Sequence, residues 1–256
     1  MDRKESLGQK NYPKNFRQLL SQETWNLLRK KLEIEFSSES EQNLNQLNEI
    51  LAENSAVFYL NHTSKMDAVL AIFMIFSQLP NATRLLGPAG MRHYDWRRDP
   101  SSALLLRLLK VLNIHALPVV QVDDTADYGP KRQIMLNNLK IKTKELFNIP
   151  GSLYGIAPEG TRNQVDGKLQ KANRGIGYLE KYAPDTFYLP VSVIYKQFSI
   201  NPEVKVGVPL QLKDIIPSET ELPTDPNDRA QIIADYHMYR LSSLMPVELQ
   251  GAYQFD

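Results

Sequence analysis

Two polar segments, far apart in the sequence, contain the side chains best suited to chemistry. Residues 61–67 (NHTSKMD) include His62 and Asp67, and residues 157–162 (APEGTR) end in Arg162. A histidine whose ring is oriented by a carboxylate is a general base for a hydroxyl group. An arginine in a tight turn suits a phosphate, because its planar guanidinium binds two oxygens together. The two segments therefore predict a base and an anion site.

A purely structural interpretation is open for each segment taken alone. Ser64 and Asp67 are spaced like a capping box, in which Asp67 would only complement the positive end of a helix. Glu159 and Arg162 could form a local ion pair in an ordinary turn. The functional interpretation therefore depends on the elements that position both segments.

Apolar runs typical of strands alternate with helical stretches along most of the chain. The predicted strands are residues 56–60, 115–122, 151–156, 186–193 and 204–208, and the predicted helices are residues 67–79, 101–112, 130–147, 172–182 and 226–245. This alternation indicates an α/β fold with a mixed, partly parallel sheet flanked by helices. Ligands of such folds bind at the carboxyl ends of strands, where both polar segments begin.

The first part of the chain predicts a helical hairpin. One helix is expected over residues 16–36, and Ser38 with Glu41 forms a capping box for a second helix, whose apolar positions are Leu44, Leu47, Ile50 and Leu51. We therefore divide the chain into an N-terminal hairpin, residues 1–54, and an α/β domain, residues 55–256.

Together the two polar segments resemble the glycerolipid acyltransferase family, which includes glycerol-3-phosphate and 1-acylglycerol-3-phosphate acyltransferases. The residues that carry the resemblance are His62-x4-Asp67 and Pro158-Glu159-Gly160-Thr161-Arg162, followed by residues 171–175 (KANRG) and 189–193 (LPVSV). The likeness covers residues 55 to about 210. The resemblance implies that residues 55–256 form an α/β acyltransferase domain.

The resemblance implies transfer of a fatty acyl group from acyl-CoA or acyl carrier protein to a hydroxyl of 1-acyl-sn-glycerol-3-phosphate, in phospholipid synthesis. His62 and Asp67 would be catalytic, and Glu159, Gly160, Thr161 and Arg162 would bind substrate. The acyl thioester is a co-substrate, and no further cofactor and no metal are expected. The alternatives are glycerol-3-phosphate as the acceptor, a thioesterase, or a lipid-binding protein on the same fold.

One departure from the family pattern concerns the acceptor phosphate. The family's second block usually closes a strand with an arginine, whereas residues 117–122 (LPVVQV) run into two aspartates. Arg84, Lys131 and Arg132 are the candidates to replace that arginine, and Arg84 is included in the predicted substrate site. In addition, Ala157 replaces the aromatic residue that usually precedes the Pro-Glu-Gly turn in this family.

Composition excludes several classes of protein. The 256 residues include no cysteine, which excludes a disulfide scaffold and a thiol nucleophile, and the balance of 30 basic and 29 acidic residues argues against a nucleic-acid partner. The longest apolar run, residues 68–76, has nine residues, about half of what a membrane-spanning helix needs. We therefore predict a cytoplasmic protein.

Residues 84–110 predict a peripheral contact with the inner face of the membrane. They include six basic and two acidic residues, among them Arg92, Arg97 and Arg98, beside Tyr94 and Trp96. Basic residues next to interfacial aromatics favour docking on anionic lipid. The alternative is a solvated basic loop that leads into a buried helix.

Overall fold

Seven strands form one sheet in the computed structural model. The structure describes residues 36–62, 77–95, 97, 99–110, 113–120, 128–160, 167–195, 202–216 and 222–254, and also helical residues 23, 24, 26, 27 and 30. The strands are β1 (Ala56–Leu60), β2 (Arg84–Gly90), β3 (Ile114–Val119), β4 (Ser152–Ile156), β5 (Phe187–Tyr195), β6 (Pro202–Val206) and β7 (Leu210–Gln211). Their order is β3-β2-β4-β1-β5-β6, with β7 also paired to β5. The first five strands are parallel, and β6 and β7 run antiparallel to β5. The chain thus has the predicted mixed α/β fold.

Five α-helices whose two ends are both described accompany this sheet. They are α1 (Ser38–Ile50), α2 (Pro100–Leu109), α3 (Arg132–Phe147), α4 (Leu212–Ile215) and α5 (Pro226–Ser242). The N-cap of α1 is Ser37, whose hydroxyl accepts from the Ser40 backbone N–H, so the cap lies one residue before the predicted Ser38. Asp225 caps α5 as its Asp-Pro sequence predicts.

The central strand β1 is buried on both faces, so its side chains contribute to two separate apolar layers. Ala56, Phe58 and Leu60 pack in one layer with apolar side chains of α1 and α2, while Val57 and Tyr59 pack in the other with those of α3 and α5. Strands covered by helices on both faces read as continuous apolar runs. This is why the sequence AVFYL predicts β1 with its observed ends.

Several elements differ from the prediction, among them the short strand β7 and the short helix α4, which the sequence did not predict. Strand β2 was not predicted, since its sequence RLLGPAG contains proline and two glycines, which are depleted in strands. Residues 172–182 were predicted as an α-helix, but residues 167–173 are irregular and only Gly177–Lys181 forms a 3-10 helix.

Two further predictions concern the hairpin and the first helix of the α/β domain. Most of the predicted helices 16–36 and 67–79 lies outside the described residues. Leu44, Leu47 and Leu51, in or just after α1, belong to the apolar layer that contains Phe58 of β1. The boundary at residue 54 stays a prediction.

A buried histidine lies between the sheet and α5. The ring of His237 is 5.0 Å from that of Tyr59 and 4.4 Å from that of Tyr188, measured between centroids. Burial, and then the positive charge of Arg240, lower the pKa of His237 to about 3. The folded protein therefore holds this imidazole neutral at pH values where an unfolded chain would protonate it.

This difference predicts an acid-sensitive stability. Because the pKa of His237 is about 3 in the folded protein and about 6.5 in an unfolded chain, the unfolded state binds the extra proton between these values. Stability should fall as the pH drops through this window, by up to about 1.4 kcal/mol per pH unit from this group alone. His237→Phe should remove that contribution in urea unfolding at pH 7, 6, 5 and 4.5. An equal pH dependence of wild type and variant would contradict the assignment.

Candidate active site

The two polar segments meet because β1 and β4 are neighbouring parallel strands. Tyr59 is paired with Ile156, so continuing this register by three residues places His62 beside Glu159. The backbone N–H of His62 donates a hydrogen bond of 3.0 Å to Oε1 of Glu159. The sheet thus brings the segments together at its carboxyl edge, as the sequence predicts.

The carboxylate of Glu159 lies inside the protein, with only 2% of the residue exposed. Its second oxygen, Oε2, accepts a hydrogen bond of 3.0 Å from the backbone N–H of Gln170. One buried side chain therefore joins the end of β1 to the irregular segment 167–173. An ionised carboxylate is stabilised in such a place by backbone N–H donors, which replace part of its lost hydration.

The turn after β4 is built around Gly160 and Asn173. Gly160 has a positive φ of 70°, which glycine adopts without strain. A Cβ atom at this position would collide with the side-chain amide of Asn173. That amide donates a 2.7 Å hydrogen bond to the carbonyl of Glu159, and the backbone N–H of Asn173 donates one of 2.8 Å to the carbonyl of Pro158. Gly160 is thus required for the shape of the turn.

Asn61 fixes the backbone just before His62. Its side chain is almost fully buried and donates to the carbonyl of Val193 and accepts from the backbone N–H of Val193, both at 2.8 Å. This amide continues the pairing of β1 with β5 beyond Leu60, the last residue of β1. The entry to His62 is therefore held on one side by β5 and on the other by Glu159.

Three of the predicted site residues, Asp67, Thr161 and Arg162, lie outside the described residues. The pairing of His62 with Asp67 and the phosphate site at Arg162 stay predictions.

Arg84 lies away from this site, which corrects its predicted place. It is the first residue of β2 and is paired with Ser152, the first residue of β4. Both therefore lie at the amino edge of the sheet, roughly 20 Å along the strands from Glu159 at ~3.3 Å per residue. The other two candidates, Lys131 and Arg132, lie at the start of α3. This helix runs back from the carboxyl edge of the sheet towards the first residue of β4.

Asn61, Gln170 and Asn173 were not predicted as site residues. Gln170 acts through its backbone N–H. Because every residue except proline has this group, the residue type at position 170 does not indicate the role. Asn61 carries a signal, because an amide directly after a run of buried strand residues needs partners for its polar groups. Asn173 lies in the KANRG segment, which the sequence singled out without giving this residue a role.

The basic segment 84–110 contains a compact polar cluster around Asp99. Burial alone would raise the pKa of Asp99, but hydrogen bonds from Ser102, His93 and Ser101 hold it well below its usual range. The hydroxyl of Tyr94 is buried, which raises the pKa of this phenol above its usual range.

The membrane contact expected of this segment stays a prediction. Trp96, Arg98 and the side chain of Arg92 are outside the described residues. Within the described ranges, no helix combines the length and the apolar character needed to cross a bilayer.

Comparisons with known proteins found similarity among solved structures. No family model matches the sequence, and no curated protein matches it. Among solved structures, the 1-acyl-sn-glycerophosphate acyltransferase PlsC from Thermotoga maritima is similar at 16% identity, with a TM-score of 0.40 over 90% of this chain and 87% of that one.

The geometry of Glu159 predicts a loss of stability when one of its two acceptor oxygens is replaced. In Glu159→Gln, one of the two acceptor oxygens becomes an amide N–H₂ that faces the backbone N–H of His62 or Gln170. A buried donor left without an acceptor costs about 1–3 kcal/mol. Urea unfolding should show a loss of this size, whereas the control Glu248→Gln, at an exposed residue, should leave the midpoint unchanged. An unchanged midpoint in Glu159→Gln would contradict the structural role.

Proposed function

We propose that this protein is an O-acyltransferase that moves a fatty acyl group from an acyl thioester to a hydroxyl of 1-acyl-sn-glycerol-3-phosphate. The observation that carries the proposal is the hydrogen bond from the His62 backbone N–H to the buried Glu159 carboxylate. It unites the two segments whose residue types resemble the glycerolipid acyltransferases. Each segment alone has an ordinary structural explanation, but their meeting at the carboxyl edge of a parallel sheet favours a shared site.

His62 is the general base in this proposal. Its imidazole removes the proton from the acceptor hydroxyl while the oxygen attacks the thioester carbonyl. When the tetrahedral intermediate collapses, the C–S bond breaks and the imidazolium returns the proton to the departing thiolate. The products are an ester and a free thiol, and no acyl-enzyme is formed. Asp67 orients the imidazole and stabilises its charged form.

The turn after β4 serves the acceptor in this proposal. Arg162 binds the phosphate with its guanidinium, and Gly160 and Thr161 shape the turn that presents it. Because Glu159 is buried and occupied by two backbone donors, we assign it to positioning His62 rather than to contact with the acceptor. The donor is acyl-CoA or acyl carrier protein.

Loss of the base should remove activity without unfolding the protein. His62→Ala should lower the rate of transfer by ~10²–10⁴, the usual contribution of general base catalysis, and Asp67→Asn should cost less. The control His115→Gln changes a histidine of the edge strand β3 and should keep wild-type turnover. Near wild-type turnover in a folded His62→Ala protein would overturn the mechanism.

The phosphate site should be visible in the kinetic constants. Arg162→Lys should raise the KM of the acceptor and leave that of the donor nearly unchanged, because an ammonium group cannot reproduce the two-pronged guanidinium contact. Arg84→Lys, at the opposite edge of the sheet, is the matched control and should change neither constant. A rise in the donor KM alone would reverse the assignment of Arg162.

A further inference from the structure

Helix α3 exposes two large apolar side chains on its solvent face. Ile134 is 64% exposed and Ile141 is 54% exposed. Residues seven apart on a helix lie nearly in line, two turns and about 10 Å from each other. The two isoleucines therefore form a short ridge, called the α3 ridge below, on the side of the helix that faces away from the sheet.

The charges around the α3 ridge are almost all positive. Residues 131–147 carry five basic side chains and one acidic one. Lys131, Arg132, Lys140 and Lys144 are exposed. The acidic residue, Glu145, already accepts a hydrogen bond of 2.6 Å from Lys142. The surface that surrounds the ridge therefore attracts anions.

We propose that the α3 ridge docks on an anionic lipid surface, an inference that rests on the proposed function. A convex helix with apolar side chains along its outer line and cations on its flanks matches a flat layer of anionic headgroups. The exposed cations of α3 favour such a layer as the occupant, because anionic headgroups complement their charge.

The position of α3 connects this surface with the candidate site. Strand β4 starts five residues after α3 ends and pairs with β1 in parallel. Helix α3 packs against β2, β3 and β4 and returns from their carboxyl edge to their amino edge. The first turn of α3, with Ile134, thus lies at the edge that holds His62 and Glu159. Docking through the ridge would bring the protein to a bilayer, in which a lysophospholipid acceptor resides.

Co-sedimentation with vesicles tests the proposal. Wild-type protein should bind vesicles of phosphatidylcholine with about one third phosphatidylglycerol at low salt, and high salt should release it. Ile134→Gln/Ile141→Gln should weaken binding about tenfold or more, and Lys140→Gln about fivefold. The control Val247→Gln changes a side chain that is 58% exposed on another part of the surface and should bind as wild type does.

Several results would overturn the proposal. One is that wild-type protein does not bind anionic vesicles, and another is that the double variant binds them as tightly as wild type does. A third is that wild-type protein binds vesicles of phosphatidylcholine alone equally well. If wild type instead binds an acidic acyl carrier protein and the double variant does not, the ridge belongs to a protein partner.

Transfer to a dispersed short-chain acceptor separates this test from that of the proposed function. The double variant should turn over such an acceptor at the wild-type rate, since neither isoleucine belongs to the candidate site. A wild-type protein that binds vesicles but transfers no acyl group would refute the function and leave the docking surface standing.

Discussion

The parallel pairing of β1 with β4 determines where the chemistry of this protein is possible. Because the two strands end at the same level of the sheet, the residues that follow them, His62 and Glu159, are neighbours although 97 positions separate them. The Glu159 carboxylate then fixes the distance between the segments of His62 and Gln170, since its two oxygens accept hydrogen bonds from the backbone N–H groups of these residues. A buried charge is costly to leave without donors, so this arrangement couples the folding of three segments.

A carboxylate that binds backbone N–H groups positions the main chain of the segments that it joins. Glu159 accepts a hydrogen bond from the backbone N–H of His62, and this bond does not depend on the tautomer of the imidazole ring. On the other side, Asn61 holds the end of β1 against β5 with two hydrogen bonds to Val193. In the proposed function, proton transfer requires a base whose position is set before the substrate arrives, and these contacts fix the backbone on both sides of that base.

Much of this arrangement was predictable from the sequence, and the failures have physical causes. The buried strand β1 is an unbroken apolar run, and the rule that parallel strands end at one edge places both polar segments there. The contact of His62 with Glu159 also requires β1 and β4 to be neighbours, which the sequence did not predict. Strand β2 was missed because Gly87 and Pro88 disfavour a strand locally while its pairing with β3 and β4 stabilises one. Arg84 was misplaced for the same reason, since its edge of the sheet is known only once β2 is known. The role of Gln170 rests on a backbone group and leaves no trace in residue type.

The central claim is that His62 activates a hydroxyl of a phosphorylated glycerolipid rather than water. Product analysis tests this most directly: wild-type protein is supplied with a labelled acyl thioester, first alone and then with lysophosphatidate or glycerol-3-phosphate. The account predicts label in phosphatidate when lysophosphatidate is present, and little release of fatty acid when no acceptor is present. Label found only in free fatty acid, at the same rate with and without acceptor, would contradict it and indicate a thioesterase.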